Sequence, residues 1–209
     1  SGGDGRYLVF SAVQGRYQHL FRSNTDGSEV RQLSFGNSME VDSSISHDGK
    51  WVAYASTAHT GAGYATTLWK VPIDGGEPIA LKRKDCEMPH FSPDDKFISC
   101  VEAQKTIHIL SPDGTLFRSF PALPRATLSF GARWTPDGKA VTYIVDNNAE
   151  ISNVWMQPVD GGPAKRLTDF TSGSIYHFAY SLDGTRLFLA RGQQIRDAVL
   201  ITSSDSKRK

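Results

Sequence analysis

A five-residue turn signature recurs along this chain: Ser46-His47-Asp48-Gly49-Lys50, Ser92-Pro93-Asp94-Asp95-Lys96, Thr135-Pro136-Asp137-Gly138-Lys139 and Ser181-Leu182-Asp183-Gly184-Thr185. Its Asp falls at 48, 94, 137 and 183, in steps of 46, 43 and 46 residues, and Asp4-Gly5-Arg6 stands 44 residues upstream of Asp48. A fixed period of this size restricts the chain to a propeller, a solenoid or another array. A second signature lies about half a period further on, at Asp26-Gly27, Asp74-Gly75-Gly76, Asp113-Gly114 and Asp160-Gly161-Gly162. Asp-Gly between apolar runs marks a tight hairpin, because Gly accepts positive φ and Asp bonds its own backbone. Each unit therefore carries two tight turns joined by a more variable loop.

Between the turns the apolar residues alternate with a strand period, as in Trp51-Val52-Ala53-Tyr54-Ala55, Ile107-His108-Ile109-Leu110 and Asn153-Val154-Trp155-Met156-Gln157. These runs, and Ala198-Val199-Leu200-Ile201 near the end, are rich in β-branched and aromatic residues and bounded by Gly, Pro, Asp and Asn. They read as strands. Four antiparallel strands in about 45 residues make one propeller blade. The fold expected is therefore all-β, a β-propeller of four-stranded blades. Five blades are represented, at 1–36, 37–83, 84–123, 124–170 and 171–209. The first unit lacks its inner strand and the last its outer one. Since a propeller removes free edges by closing its ring, the expectation is part of a larger wheel, or self-association through the open edge blades.

The motifs Phe91-Ser92-Pro93-Asp94-Asp95-Lys96 and Trp134-Thr135-Pro136-Asp137-Gly138-Lys139, with Trp69 to Gly76 and Trp155 to Gly162, resemble the TolB-like β-propeller repeat, a distant relation of the WD-repeat family. The copies depart from it at Asp95 in place of Gly, at His47 and Leu182 in place of Pro, and at Ile45 and Tyr180 in place of Trp or Phe. The resemblance implies a module attached to bacterial signalling proteins, such as membrane-linked serine/threonine kinases and winged-helix regulators.

Composition excludes several classes. Lys and Arg number 23 against 22 Asp and Glu, so no charge surplus suggests nucleic acid. No apolar run approaches the ~20 residues of a bilayer span, and Ser1-Gly2-Gly3 reads as a processing boundary rather than a signal peptide. Pairing about the Ser92 turn sets Cys100 nearer Met88 than Cys86, so two unlinked thiols are expected. A periplasmic or other extracytoplasmic location is favoured over the cytoplasm, the cysteines being compatible with either.

Catalytic signals are weak throughout. The six histidines (19, 47, 59, 90, 108, 177) form no metal-ligand pair in sequence, although the inner strands could bring His90 and His177 together. That pairing raises an oligogalacturonate-lyase-like metal propeller as an alternative. The Asp-Gly turns lack calcium-loop spacing, Gly61-Ala62-Gly63 lacks the Lys-Ser/Thr of a phosphate loop, and no Gly-x-Ser-x-Gly elbow occurs. No cofactor, no metal and no enzymatic activity are expected.

The loops His59–Tyr64, Asp146–Glu150 and Gln193–Arg196 should emerge beside the starts of the inner strands. That rim would gather Asp42, Glu87, Met88, His90, Arg133, Tyr176 and His177 around one mouth. Loops on a rigid scaffold carry function more often than the scaffold does. The reading is a non-catalytic protein-interaction or ligand-sensing propeller with a protein or peptide partner, or a small ligand. The alternative is the propeller portion of an enzyme, either the lyase type or a prolyl-oligopeptidase-type gate. A purely structural blade set is the third reading.

Overall fold

The computed structural model describes residues 5–147, 151–181 and 183–193, and every regular element among them is a β-strand. The first blade holds β1 (Tyr7–Gln14), β2 (Tyr17–Asn24) and β3 (Arg31–Gln32); the second holds β4 (Met39–Ile45), β5 (Trp51–Thr60), β6 (Gly63–Pro72) and β7 (Ile79–Lys84). In the third, β8 (Glu87–Phe91), β9 (Ile98–Glu102), β10 (Thr106–Leu110) and β11 (Leu116–Pro121) pair in chain order. The fourth runs through β12 (Ala126–Thr127), β13 (Arg133–Trp134), β14 (Ala140–Asp146), β15 (Ser152–Pro158) and β16 (Lys165–Arg166). Of the fifth, β17 (Ser174–Tyr180) and β18 (Leu187–Gly192) are described. The strand expected over 198–201 and the loop residues 148–150 and 194–196 lie outside the described residues.

Alternation buries both faces of the blades, and the core is the set of seams between them. In β5, Val52 and Tyr54 pack with Leu20 and Leu33 of the first blade, while Ala53 and Ala55 pack with Ile98 and Cys100 of the third. Ile107 and Ile109 meet Val141 and Tyr143 across the next seam, and Ile144 and Val154 meet Ile175 and Phe178 across the last. This layering is what makes a strand read as buried on both sides.

All four turn signatures close alike. The Ser46 hydroxyl donates to Asp48 Oδ1 (2.7 Å), Asp48 Oδ1 accepts the Lys50 N–H (3.0 Å), and the Trp51 N–H donates to Ser46 Oγ (2.9 Å). The same three bonds recur from Ser92, Thr135 and Ser181. The hydroxyl donations hold the carboxyls of Asp94, Asp137 and Asp183 below the usual range. The residue after the Asp is left-handed each time: Gly49 (φ 72°), Asp95 (φ 56°), Gly138 (φ 67°) and Gly184 (φ 70°).

Successive turns also touch. A Cβ on Gly138 would lie 3.6 Å from Pro93 Cδ, and one on Gly184 would lie 2.5 Å from Pro136 Cβ. Between the second and third blades His47 replaces that Pro and Asp95 replaces that Gly. His47 has the N–H that Pro lacks, and Asp95 Oδ1 accepts it at 2.6 Å while Oδ2 accepts the Asp48 N–H at 2.8 Å. The two departures from the repeat are one compensated exchange. Asp95→Gly alone and His47→Pro alone should each cost about 1 kcal/mol. The double variant should return to within a few tenths of wild type in urea unfolding, and strictly additive losses would refute the coupling.

Three features differ from expectation. The first two blades are one sheet, because β3 covers only Phe21 and Arg22 of β2 and leaves Gln18 to pair in parallel with Met39. The loop at His59–Tyr64 is a two-residue turn at the tip of a long arm, since β5 and β6 stay paired out to Thr60 and Gly63. Cys86 and Cys100 form a disulfide, not two free thiols. The ladder pairs Glu87 with Val101 and His90 with Ser99 and slips between them, beside Cys100. In an unbroken ladder Cys86 would be only a diagonal neighbour of Cys100, ordinarily about 7–8 Å away. Left-handed residues on both sides, Asp85 (φ 57°) and Met88 (φ 54°), curl the chain until the two Cα atoms stand 5.8 Å apart.

Candidate functional site, the bulged mouth

At the end opposite the Asp turns, the inner strands lose their ladder at equivalent places. Register slips between Val41 and Ser44 in β4, between Glu87 and His90 in β8, and between Ile175 and His177 in β17. In the fourth blade the inner strand splits into β12 and β13. Six residues before three of the four turn Asp residues the backbone is left-handed, at Asp42 (φ 53°), Met88 (φ 54°) and Gly131 (φ 74°). Bulges re-aim side chains, and here they turn one set inward around a cleft of about 170 Å³ lined by Asp42, Ser43, Met88, His90, Ser129, Phe130 and Arg133.

Gly131 is demanded by close approach as well as by φ: a Cβ there would sit 2.8 Å from His90 Nε2 and 3.1 Å from Met88 Cβ. The half-buried His90 ring is thereby pinned. Burial and then the Arg133 charge push its pKa down to about 4, with a hydrogen bond to the Phe130 backbone pulling weakly the other way. The next blade is tied to the two innermost strands of this one, since Trp134 Nε1–H donates to the His90 carbonyl of β8 (2.9 Å) and the Ser99 Oγ–H of β9 to the Ala132 carbonyl (2.7 Å).

Arg133 is the electrostatic centre. Its Nη2 donates to His177 Nε2 at 3.4 Å, its Nε is buried without a partner, and it forms no ion pair among the described residues. Desolvation lowers its pKa. Desolvation, then the Arg133 charge, lowers that of His177, whose ring meets Phe130 edge-on at 5.5 Å. Across the cleft, burial first and the Glu87 charge second raise the Asp42 carboxyl. Tyr176 stands apart, 48% exposed, with its ring over Gly192 of β18.

Sequence reasoning missed Ser43, Ser129 and Phe130. The usable signal was Gly131, which stands at the same offset from Asp137 as Asp42 and Met88 do from their own turns. It also missed a buried network in which Glu40 accepts from His19 Nδ1 (2.9 Å), Ser34 (3.1 Å) and Ser38 (2.5 Å), joining the first two blades.

No protein-family model matches the chain. Among solved structures it is similar to TolB from Acinetobacter baumannii, with TM-score 0.66 and 21% identity over 84% of this chain and 43% of that one. It is equally similar to a putative TolB from Agrobacterium tumefaciens, with TM-score 0.66 and 21% identity over 92% and 68% of the two chains. The fold is that of a TolB-like β-propeller. Among curated proteins the propeller is 30% identical over 181 residues to dipeptidyl-peptidase 5 of Aspergillus oryzae. That match covers 73% of this chain, which spans about a quarter of the peptidase's length (24%).

Within the propeller, His90 and His177 both neighbour Arg133, and a shared guanidinium opposes a divalent cation. Among the described residues no group of three or more His, Cys, Asp or Glu is placed to hold a metal, and no helix is long and apolar enough to cross a membrane.

The low pKa of His90 has a consequence for stability. The folded state keeps the ring neutral, while the unfolded chain takes up a proton below its ordinary 6.5. The contribution is therefore complete above about pH 6.5 and is lost as pH falls toward 4. Between pH 7 and 4.5 the wild type should lose about 2–3 kcal/mol more than His90→Gln, at 1.36 kcal/mol per pH step. Parallel pH profiles in urea unfolding would rule this out.

Proposed function

We propose that the chain is a non-catalytic interaction propeller and that a protein or peptide partner docks on the bulged mouth. The observation that carries this reading is the contrast between the two ends. At one end successive turns seal against each other through the Pro–Gly and His47–Asp95 contacts. At the other, the described inner strands break their ladders around a cleft in which Arg133 and Asp42 make no ion pair, with His177 and Glu87 beside them. A concave cleft on which several polar groups converge is where a ligand binds, and here Met88 and Phe130 are its apolar part. A small ligand would use the same place.

The buried Cys86–Cys100 bridge supports an oxidising, extracytoplasmic setting, since disulfides persist there and are rare in the cytosol. The fold likeness to TolB structures supports a parent protein of the bacterial envelope or of signalling. Selection of a displayed random-peptide library tests the docking site. Selected peptides should lose at least about tenfold in affinity, 1.4 kcal/mol, on the charge reversals Glu87→Arg and Arg133→Glu, and nothing on Asp26→Ala. Peptides that bind both reversed variants undiminished, or no enrichment at all, would reject it.

The likeness to dipeptidyl-peptidase 5 supports a second reading, in which the propeller is the non-catalytic portion of a peptidase and the mouth admits substrate. The coding sequence flanking this chain separates the two. A hydrolase domain favours the second, and a kinase or DNA-binding segment the first.

A further inference from the structure

We infer that the mouth captures a free C-terminal carboxylate, with Arg133 as its anchor; this deepens the docking reading above and rests on it. A guanidinium taken partly out of water is costly unless a counter-ion or a full set of acceptors meets it. Arg133 has neither. Its Nε is buried and unpartnered, its Nη2 reaches a single acceptor, a neutral imidazole nitrogen at 3.4 Å, and desolvation alone accounts for its lowered pKa. Asp42 lines the same cleft but makes no ion pair with Arg133 among the described residues, and the nearby charge that acts on it is that of Glu87. The fork of a guanidinium matches a carboxylate in two parallel hydrogen bonds.

The surroundings select which anion fits. His90 and His177 are both held neutral beside Arg133, so the anion meets one full positive charge rather than three. Asp42 and Glu87 on the far side repel a dianion such as phosphate and welcome the N–H groups of a peptide. A cleft of about 170 Å³ is smaller than the about 300–1,000 Å³ of a pocket that encloses a whole small molecule, so it suits the end of a chain. Met88 and Phe130 give the last side chain an apolar wall. Capture of a terminal carboxylate is a recurring mode of peptide recognition.

Calorimetric titration of the whole chain at pH 7.5 tests this with acetyl-Gly-Ala-Leu bearing a free C-terminus, the same peptide as its C-terminal amide, acetyl-Ala-Glu-Ala amide, and acetate. The free acid should bind at least about tenfold more tightly than the amide, the equivalent of 1.4 kcal/mol, and Arg133→Gln should abolish that preference. Equal binding of acid and amide overturns the inference while leaving the mouth as a peptide site. Equal binding of the internal Glu peptide overturns the C-terminal assignment, as does acetate binding as tightly as the peptide. Absence of binding by every probe overturns it too. Should Arg133→Gln fail to fold, the acid–amide comparison on the wild type decides alone.

Discussion

Replacing Gly114 by alanine will destabilise the fold by about 3 kcal/mol or more, whereas the same change at Gly27 will cost about 1 kcal/mol. The two residues occupy equivalent Asp-Gly turns and share φ of +85°, so the backbone strain of a left-handed alanine is common to both. They differ in what a Cβ would meet. At Gly27 there is nothing within 4 Å; at Gly114 the Cβ would stand 2.4 Å from the Lys82 backbone nitrogen and 2.7 Å from Leu81 Cβ. That strand of the second blade donates Lys82 N–H to the Asp113 carbonyl at 3.1 Å, and the Lys82 ammonium reaches the Asp113 carboxylate. Backbone cannot step aside as a flexible side chain can, so the extra loss measures the seam between blades. Urea unfolding of both variants reads it, and equal losses would mean that the seam does not form.

Removal of the Cys86–Cys100 bridge should cost about 3 kcal/mol, the loop-closure value for roughly fifteen residues in the unfolded chain. The bridge spans a sequence separation of 14, and both residues are fully buried against Leu68, Leu81 and Ile98. The expected result is a matching loss of unfolding free energy for the Cys86→Ala/Cys100→Ala pair and for the reduced wild type. Two alkylatable thiols in protein purified under oxidising conditions, or unchanged stability on reduction, would refute it.

The periodic signals in the sequence carried the architecture because they are local. A Ser/Thr hydroxyl, an Asp two residues on and a left-handed residue after it close one turn with three hydrogen bonds, and repetition of that chemistry sets the register of every blade. The exchange of Pro for His47 and Gly for Asp95 looks like two defects in sequence. It becomes one contact only when neighbouring turns are brought side by side.

The mouth was less legible. Its position followed from strand direction, yet the bulges leave no mark in the alternation: Met88 is not a turn former, Asp42 tolerates a left-handed backbone but lacks the Gly that marks the turns, and Gly131 alone advertises it. The disulfide was hidden by the same bulge, because the diagonal separation of a flat ladder argued against it. The Glu40–His19 network was invisible for a different reason: its partners converge from the first two blades, and nothing local announces them.

Hydrogen–deuterium exchange of the chain with and without a selected peptide tests the docking claim most directly. Protection is predicted at 41–44, 87–90, 128–133 and 175–178, with the turns around Asp48, Asp94, Asp137 and Asp183 unchanged. Protection confined to those turns, or spread over the blade edges with the mouth untouched, would contradict it.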